Sequence, residues 1–204
     1  MSYPPEPWEL HGQLHASAFL VPLDRLTDGA PLDLPPGCRL VRLGGRAVVG
    51  TAWVVYEPTG VLDYRELMAT VLVRRGWRIL PTIVRIWVDS EESRDGGRAL
   101  WGIPKELAGF DVAGGRFAAA DDTGPIAAGT VRAVATTPFA LPLSFRIVQW
   151  LHGRAKVSPV RSRARLALSR ARFDAEPAGP LAFLTGRRPL VTVTMRDFRM
   201  RFGG

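Results

Sequence analysis

Lysine is almost absent from this sequence of 204 residues: of 27 basic side chains only Lys105 and Lys156 are lysine, and every other one is arginine. Arginine binds anions well but does not give up its proton, so it cannot serve as a carbonyl-attacking amine. Cysteine is rarer still, with Cys38 alone. That excludes an internal disulfide and a cysteine-based zinc site, and it fits a reducing interior better than a secreted scaffold. Histidine is limited to His11, His15 and His152. His11 and His15 share a face at their spacing, but without a carboxylate partner nearby they predict no metal site. The longest apolar run, residues 47–56, is too short to span a bilayer. The first ten residues, MSYPPEPWEL, lack the apolar centre of a secretory signal. A soluble, cytoplasmic protein with no membrane partner is therefore expected. The phosphate-binding P-loop, the G-x-G-x-x-G fingerprint and the G-x-S-x-G elbow are all missing. NTPase, dinucleotide and serine-hydrolase chemistry thus lack their usual signatures, and no cofactor is expected.

What the chain does contain is strand pattern. Hydrophobic residues at 47% and charged residues at 23% are ordinary globular proportions. The length suits a single domain over residues 1–204, with residues 1–10 as an N-terminal arm. Runs rich in Val, Ile, Leu, Trp and Thr predict strands in residues 14–23, 47–56, 67–73, 79–88, 126–136, 143–151, 166–173 and 190–202. Gly44-Gly45 and Gly114-Gly115 predict tight hairpin turns, and residues 31–36, rich in proline, predict a loop. Helix is scarce. Ser90 followed by Glu91 and Glu92 has the pattern of a capped helix start, which Gly96-Gly97 would stop early or break. Residues 145–154 leave helix and strand open. Many strands and one or two short helices in one domain predict a mainly β fold, an antiparallel barrel or sandwich. A barrel with a ligand cavity at one mouth is the more natural enzyme scaffold.

The net charge of +8 is compatible with a nucleic-acid partner, with steering of small anions, or with a solvated arginine-rich surface. Arg161, Arg163 and Arg165 alternate, which on a strand puts three guanidinium groups on one face. Leu166 and Leu168 would lie opposite. No aromatic residue interleaves with that stripe before Phe173, so it reads as the water-facing side of a strand and no nucleic acid is expected.

The segment GGRALWGIPKELAGF, residues 96–110, is the sharpest feature. Lys105 follows Pro104 and is surrounded by Leu100, Trp101, Ile103, Leu107 and Phe110. Proline fixes its own φ and pushes Ile103 out of helical geometry, giving an ordered extended approach to the lysine. Burial by these neighbours would lower the amine's pKa and leave a nucleophile near neutral pH. A surface lysine beside Glu106 is the plain alternative.

GRALWGIPKELA resembles the signature of the acetoacetate decarboxylase family, in which a Gly-Arg-Glu stretch leads to a Pro-Lys-Lys carrying the Schiff-base lysine. The resemblance puts Lys105 in that role. Upstream, GVLDYRE (residues 60–66) matches the family segment ending in Tyr-x-Glu, at the family's distance from the lysine. It implies that Glu66 lines the active site. Ile86, Trp87 and Val88 would then supply apolar pocket walls, with Trp87 and Trp101 as candidate substrate contacts. The resemblance covers about the first two-thirds of the chain. It implies a β-barrel with the lysine in an apolar cavity, a small keto acid or ketone as substrate, and a homo-oligomer.

Four positions depart from the family pattern. Glu106 stands in place of the second lysine, and on an extended segment it should face away from its neighbour. Ala99 replaces the glutamate of Gly-Arg-Glu. Thr51 lies where a further active-site glutamate belongs, and Gln13 occupies the place of the carboxylate-binding arginine. Arg65 and Arg98 are the candidates to take over that arginine's task. A Schiff-base lyase using Lys105 and Glu66 is the leading expectation, with decarboxylation of a small β-keto acid as the default reaction. An aldolase, dehydratase or cyclase with the same imine and a non-catalytic binding relative are the alternatives.

Overall fold

The computed structural model describes residues 3–27 and 32–204. Pro31, at the head of the proline-rich loop, lies outside the described residues. The strands are β1 (Trp8–Pro22), β2 (Arg39–Leu40), β3 (Arg42–Leu43), β4 (Arg46–Tyr56), β5 (Arg65–Arg75), β6 (Arg78–Val88), β7 (Lys105–Leu107), β8 (Gly109–Ala113), β9 (Arg116–Asp121), β10 (Gly124–Thr136), β11 (Leu141–Leu151), β12 (Arg154–Ala175) and β13 (Val191–Phe202). Among the described residues two α-helices join them, α1 (Leu23–Thr27) and α2 (Glu91–Trp101), with one 3-10 turn at Ala182–Leu184. The fold is mainly β, as the strand pattern predicts.

The sheet runs β7-β6-β5-β4-β1-β13-β12-β10-β9-β8, with β11 on β12. It is mixed and open rather than a closed antiparallel barrel, because β7 pairs with β6 in parallel and no backbone ladder joins β11 to β6. A side chain spans that gap. The buried Gln149 amide accepts from Thr82 Oγ1 at 2.6 Å and from the Ile83 N–H at 2.9 Å, and it donates to the Ile83 carbonyl at 3.1 Å. One glutamine thus satisfies strand groups that a neighbouring backbone would otherwise pair.

Burial on both faces explains the near-continuous apolar runs of β4 and β5. Val49, Trp53, Leu67, Ala69, Val71 and Val73 face one core with Phe19, Phe117 and Phe173. Val54, Tyr56, Met68, Ile86 and Trp101 face a second, with Trp8 and Phe198. A fully buried Leu67 contributes about 1.5–3 kcal/mol through the water it sheds.

Several expectations change. β1 starts at Trp8 within the proposed N-terminal arm, because Trp8 is buried edge-on against Trp101, ring centroids 4.8 Å apart. Residues 145–151 are strand, part of β11. Arg161, Arg163 and Arg165 do face solvent, but Leu168 is 57% exposed rather than inward. A register irregularity between Arg163 and Arg165 switches the buried side of β12 from even to odd positions. Gly96-Gly97 does not stop α2, which continues to Trp101 and ends at Gly102, φ 68°.

Candidate active site

Gly102 closes α2 by donating to the Arg98 carbonyl at 3.1 Å, while Ile103 N–H reaches Gly97 O at 3.1 Å, an αL ending that needs a left-handed residue. Pro104 then blocks further helix, and the chain enters β7 with Lys105 beside Ile86 of β6. Alternation along β7 turns Lys105 inward, 3% exposed, and Glu106 outward. Glu106 forms an ion pair with Arg98 at 2.7 Å in solvent, so its carboxylate stays off the amine.

Inside, Lys105 Nζ lies 2.9 Å from Glu66 Oε2. It also donates to Ser93 Oγ at 2.8 Å and to Tyr64 Oη at 3.2 Å. The other Glu66 oxygen accepts from Tyr56 Oη at 3.2 Å. All five side chains are buried. Tyr64 and Glu66 are two residues apart at the entry to β5, Tyr56 closes β4, and Ser93 sits in the first turn of α2 below the Ser90 cap. The rings of Tyr56 and Tyr64 meet at 4.2 Å, and Nζ lies 4.8 Å from the Tyr64 ring centre.

Burial lowers the pKa of Lys105 more than any other single influence. The Glu66 carboxylate, with Tyr64 and their hydrogen bonds, outweighs it, and the net direction is upward. The expected depressed amine is overturned, because the lysine is buried together with its counter-ion. Burial also raises the phenols of Tyr56 and Tyr64, with the Glu66 charge adding to the effect at Tyr56, so Tyr56 stays protonated and able to donate.

The amine opens into a cavity of about 460 Å³, with Trp8, Trp101 and Ile103 near the lysine and Met68, Ile83 and Phe145 among its apolar walls. Among the described lining residues Lys105 and Glu66 are the only charged ones. Thr51 also borders it, as does Trp101, whose indole donates to Glu6 Oε2 at 2.8 Å. Trp87 does not, because it points from the opposite face of β6 into the other core. Gln13 lies outside the lining, on the opposite side of β1 from Leu14. Arg65 and Arg98 are engaged outside with Asp89 and Glu106. The structure therefore unites Lys105, Glu66, Thr51 and Trp101 around one space and leaves Gln13, Trp87, Arg65 and Arg98 out of it. Tyr56, Tyr64 and Ser93 were missed by the motif reading. For Tyr64 the signal was available, since position i−2 from Glu66 shares its face on extended chain.

No group of three His, Cys, Asp or Glu among the described residues is placed to hold a metal ion. His11 and His15 instead bond Thr59 Oγ1 at 3.1 Å and Thr194 Oγ1 at 2.8 Å. No described helix is long and apolar enough to cross a membrane.

The sequence profile of the family described as acetoacetate decarboxylase (ADC) matches residues 31–141, more than half of the chain. The chain belongs to the acetoacetate decarboxylase family. The matched span contains Glu66 and Lys105. Solved structures carry the same fold. Acetoacetate decarboxylase from Legionella pneumophila subsp. pneumophila str. Philadelphia 1 superposes with a TM-score of 0.68 at 17% identity, over 99% of this chain and 86% of that one. The enduracididine biosynthesis enzyme MppR complexed with pyruvate gives 0.66 at 16% identity, over 98% and 90%. An acetoacetate decarboxylase-like enzyme from Sphingomonas wittichii RW1 gives 0.62 at 18%, over 98% and 92%. No curated protein is detectably similar in sequence. The acetoacetate decarboxylase family thus includes decarboxylases and related enzymes on one scaffold.

Proposed function

We propose that this chain is an imine-forming lyase in which Lys105 attacks a ketone or keto acid and Glu66 moves the protons. The observation that carries the reading is the buried pair, Nζ to Oε2 at 2.9 Å, at the wall of an apolar cavity. The resting ammonium is not a nucleophile. Glu66 Oε2 already accepts from it, and loss of both charges together is less costly in apolar surroundings than loss of one. With the proton on Glu66, the free amine adds to the carbonyl carbon and the carbonyl oxygen takes that proton. A second proton passes from nitrogen through Glu66 to the hydroxyl, which leaves as water. The product is a protonated imine beside a restored carboxylate, and the positive charge is conserved. The imine then accepts the electron pair of a bond broken next to the former carbonyl, giving an enamine that Glu66 is placed to protonate or deprotonate. Tyr56 aims Glu66, while Ser93 and Tyr64 hold Nζ.

Within that class the cavity favours aldol cleavage or dehydration. A second carboxylate would meet Glu66 and no arginine, and a buried charge deprived of its partner typically costs about 3–5 kcal/mol. Decarboxylation of a small β-keto acid is the second reading, favoured by the family match to acetoacetate decarboxylase. Borohydride added with a ketone tests the common step. Reduction should leave a mass increment on Lys105 that is absent in Lys105→Ala, and clean ketone binding without that increment would make the chain a binding relative. Carbon dioxide release from β-keto acids would favour the second reading.

A further inference from the structure

We infer that the substrate is an uncharged carbonyl compound with an unbranched apolar chain. This rests on the imine reading and names its substrate class. The amine lies 5.9 Å from the ring centre of Trp8, and both Trp8 and Trp101 on this part of the wall are almost wholly buried. Val191, which lines the cavity and is 45% exposed, marks the mouth where solvent reaches it.

The strand register gives the length between them. Glu66 shares a row with Val54, Leu14 and Met195, and Thr70 shares the next useful row with Gly50, Ala18 and Val191. Four residues of β5 separate the rows, about 13 Å at the strand rise, so a chain of roughly eight to ten carbons spans them. Residues from both rows line the cavity. The far row is kept open by its small residues: a Cβ on Gly50 would come within 2.7 Å of Thr70 Oγ1.

Size and charge agree. A cavity of about 460 Å³ falls in the range that encloses drug-sized ligands and is several times what a four-carbon keto acid fills. Among the described lining residues the only charges are the Lys105–Glu66 pair, which already cancel each other. Between that pair and the mouth the polar lining groups are Ser17, Thr51 and Thr70. Ser17 is bonded to Thr192 Oγ1 at 2.8 Å, and Thr70 to the Gly50 carbonyl at 3.3 Å. The wall therefore offers an incoming tail hydrocarbon contact and the head a single amine.

Two readouts on the full chain separate this inference from the imine itself. Quenching of tryptophan fluorescence by 2-alkanones from 2-butanone to 2-tridecanone measures binding, since Trp8 and Trp101 border the site. Borohydride trapping of the same series, read as mass on Lys105, measures imine formation. Affinity should tighten about fourfold per added CH₂ and level off near 2-undecanone, with acetoacetate binding at least 100-fold more weakly than 2-undecanone. Ala18→Trp, which narrows the far row, should lower the ratio of 2-undecanone to 2-butanone affinity tenfold or more. A flat series, or acetoacetate binding as tightly as 2-undecanone, overturns the inference even if every ketone is trapped. A steep series without trapping supports the apolar ligand class and overturns the imine.

Discussion

A Cβ on Gly97 would lie 2.8 Å from Lys105 Cδ and 3.0 Å from its Cε. The glycine that looks like a helix breaker is the surface on which the lysine stem rests. Its neighbour Gly96 does the same for Trp8, whose Cζ2 would stand 2.5 Å from an added Cβ. Each glycine costs α2 about 1 kcal/mol of helix propensity relative to alanine, and the close packing offsets it.

Gly97→Ala should therefore shift the amine more than it shifts stability. The intrinsic gain in helix propensity partly cancels the crowding, so thermal unfolding moves by a few degrees at most. Borohydride trapping on Lys105 should fall at least tenfold. Trapping at the wild-type rate would show that the glycine only fills space. Gly96→Ala crowds a rigid indole instead and should lose about 1–3 kcal/mol in urea unfolding.

Glu66→Gln removes the main charge that holds the Lys105 pKa up and leaves burial, its largest single opponent, opposed by Tyr64 alone. Amine labelling across pH should show a wild-type midpoint above that of an ordinary lysine, about 10.4, and a midpoint below it in the variant. The wild-type shift is upward from 10.5, so the lysine's contribution to stability is complete below that value and is lost as pH rises through the higher folded value. Alkaline unfolding of the wild type should steepen above about pH 10.5, and Glu66→Gln should lack that step. A variant that labels like the wild type would show that Glu66 does not control the amine.

Tyr56→Phe keeps the ring against Tyr64 and Phe198 but removes the donor to Glu66 Oε1. A buried carboxylate oxygen left unpaired costs about 1–3 kcal/mol. Urea unfolding should register that loss, and imine trapping should slow because Oε2 is no longer aimed. Unchanged trapping with lowered stability would limit Tyr56 to a packing and hydrogen-bonding part.

His15 is pushed down to about 4 from 6.5 by burial first and by Arg196 second. Between those values the unfolded chain binds the proton and the folded chain does not, so stability falls as pH drops from about 6.5 to 4, then levels off. The loss should reach up to about 3 kcal/mol. His15→Gln should flatten that part of the profile in urea unfolding at pH 4 and pH 7. An unchanged slope would assign it to other groups.

Much of the scaffold was legible because strand burial is written locally. β4, β5 and β6 read as apolar runs, since two cores press on their two faces. The glycine pairs at Gly44-Gly45 and Gly114-Gly115 marked their turns, with all four residues at positive φ. The open edge was not legible, because the contact that bridges it is one buried glutamine, Gln149, reaching 66 residues back to Ile83. The buried side of β12 was misassigned at Leu168 because a bulge reverses alternation without any local mark.

The resemblance of the Pro-Lys and Tyr-x-Glu segments to the acetoacetate decarboxylase family singled out Lys105 and Glu66, which the fold brings to 2.9 Å of each other. Tertiary structure alone decided the sign of the lysine's pKa shift, the exclusion of Arg65, Arg98, Gln13 and Trp87 from the cavity, and the inclusion of Tyr56 and Ser93. The reason is electrostatic and steric. A buried amine's charge depends on what lies within hydrogen-bond reach of it, and those partners, Glu66 on β5, Tyr64 just before it and Ser93 on α2, are brought together only when the sheet folds over the helix.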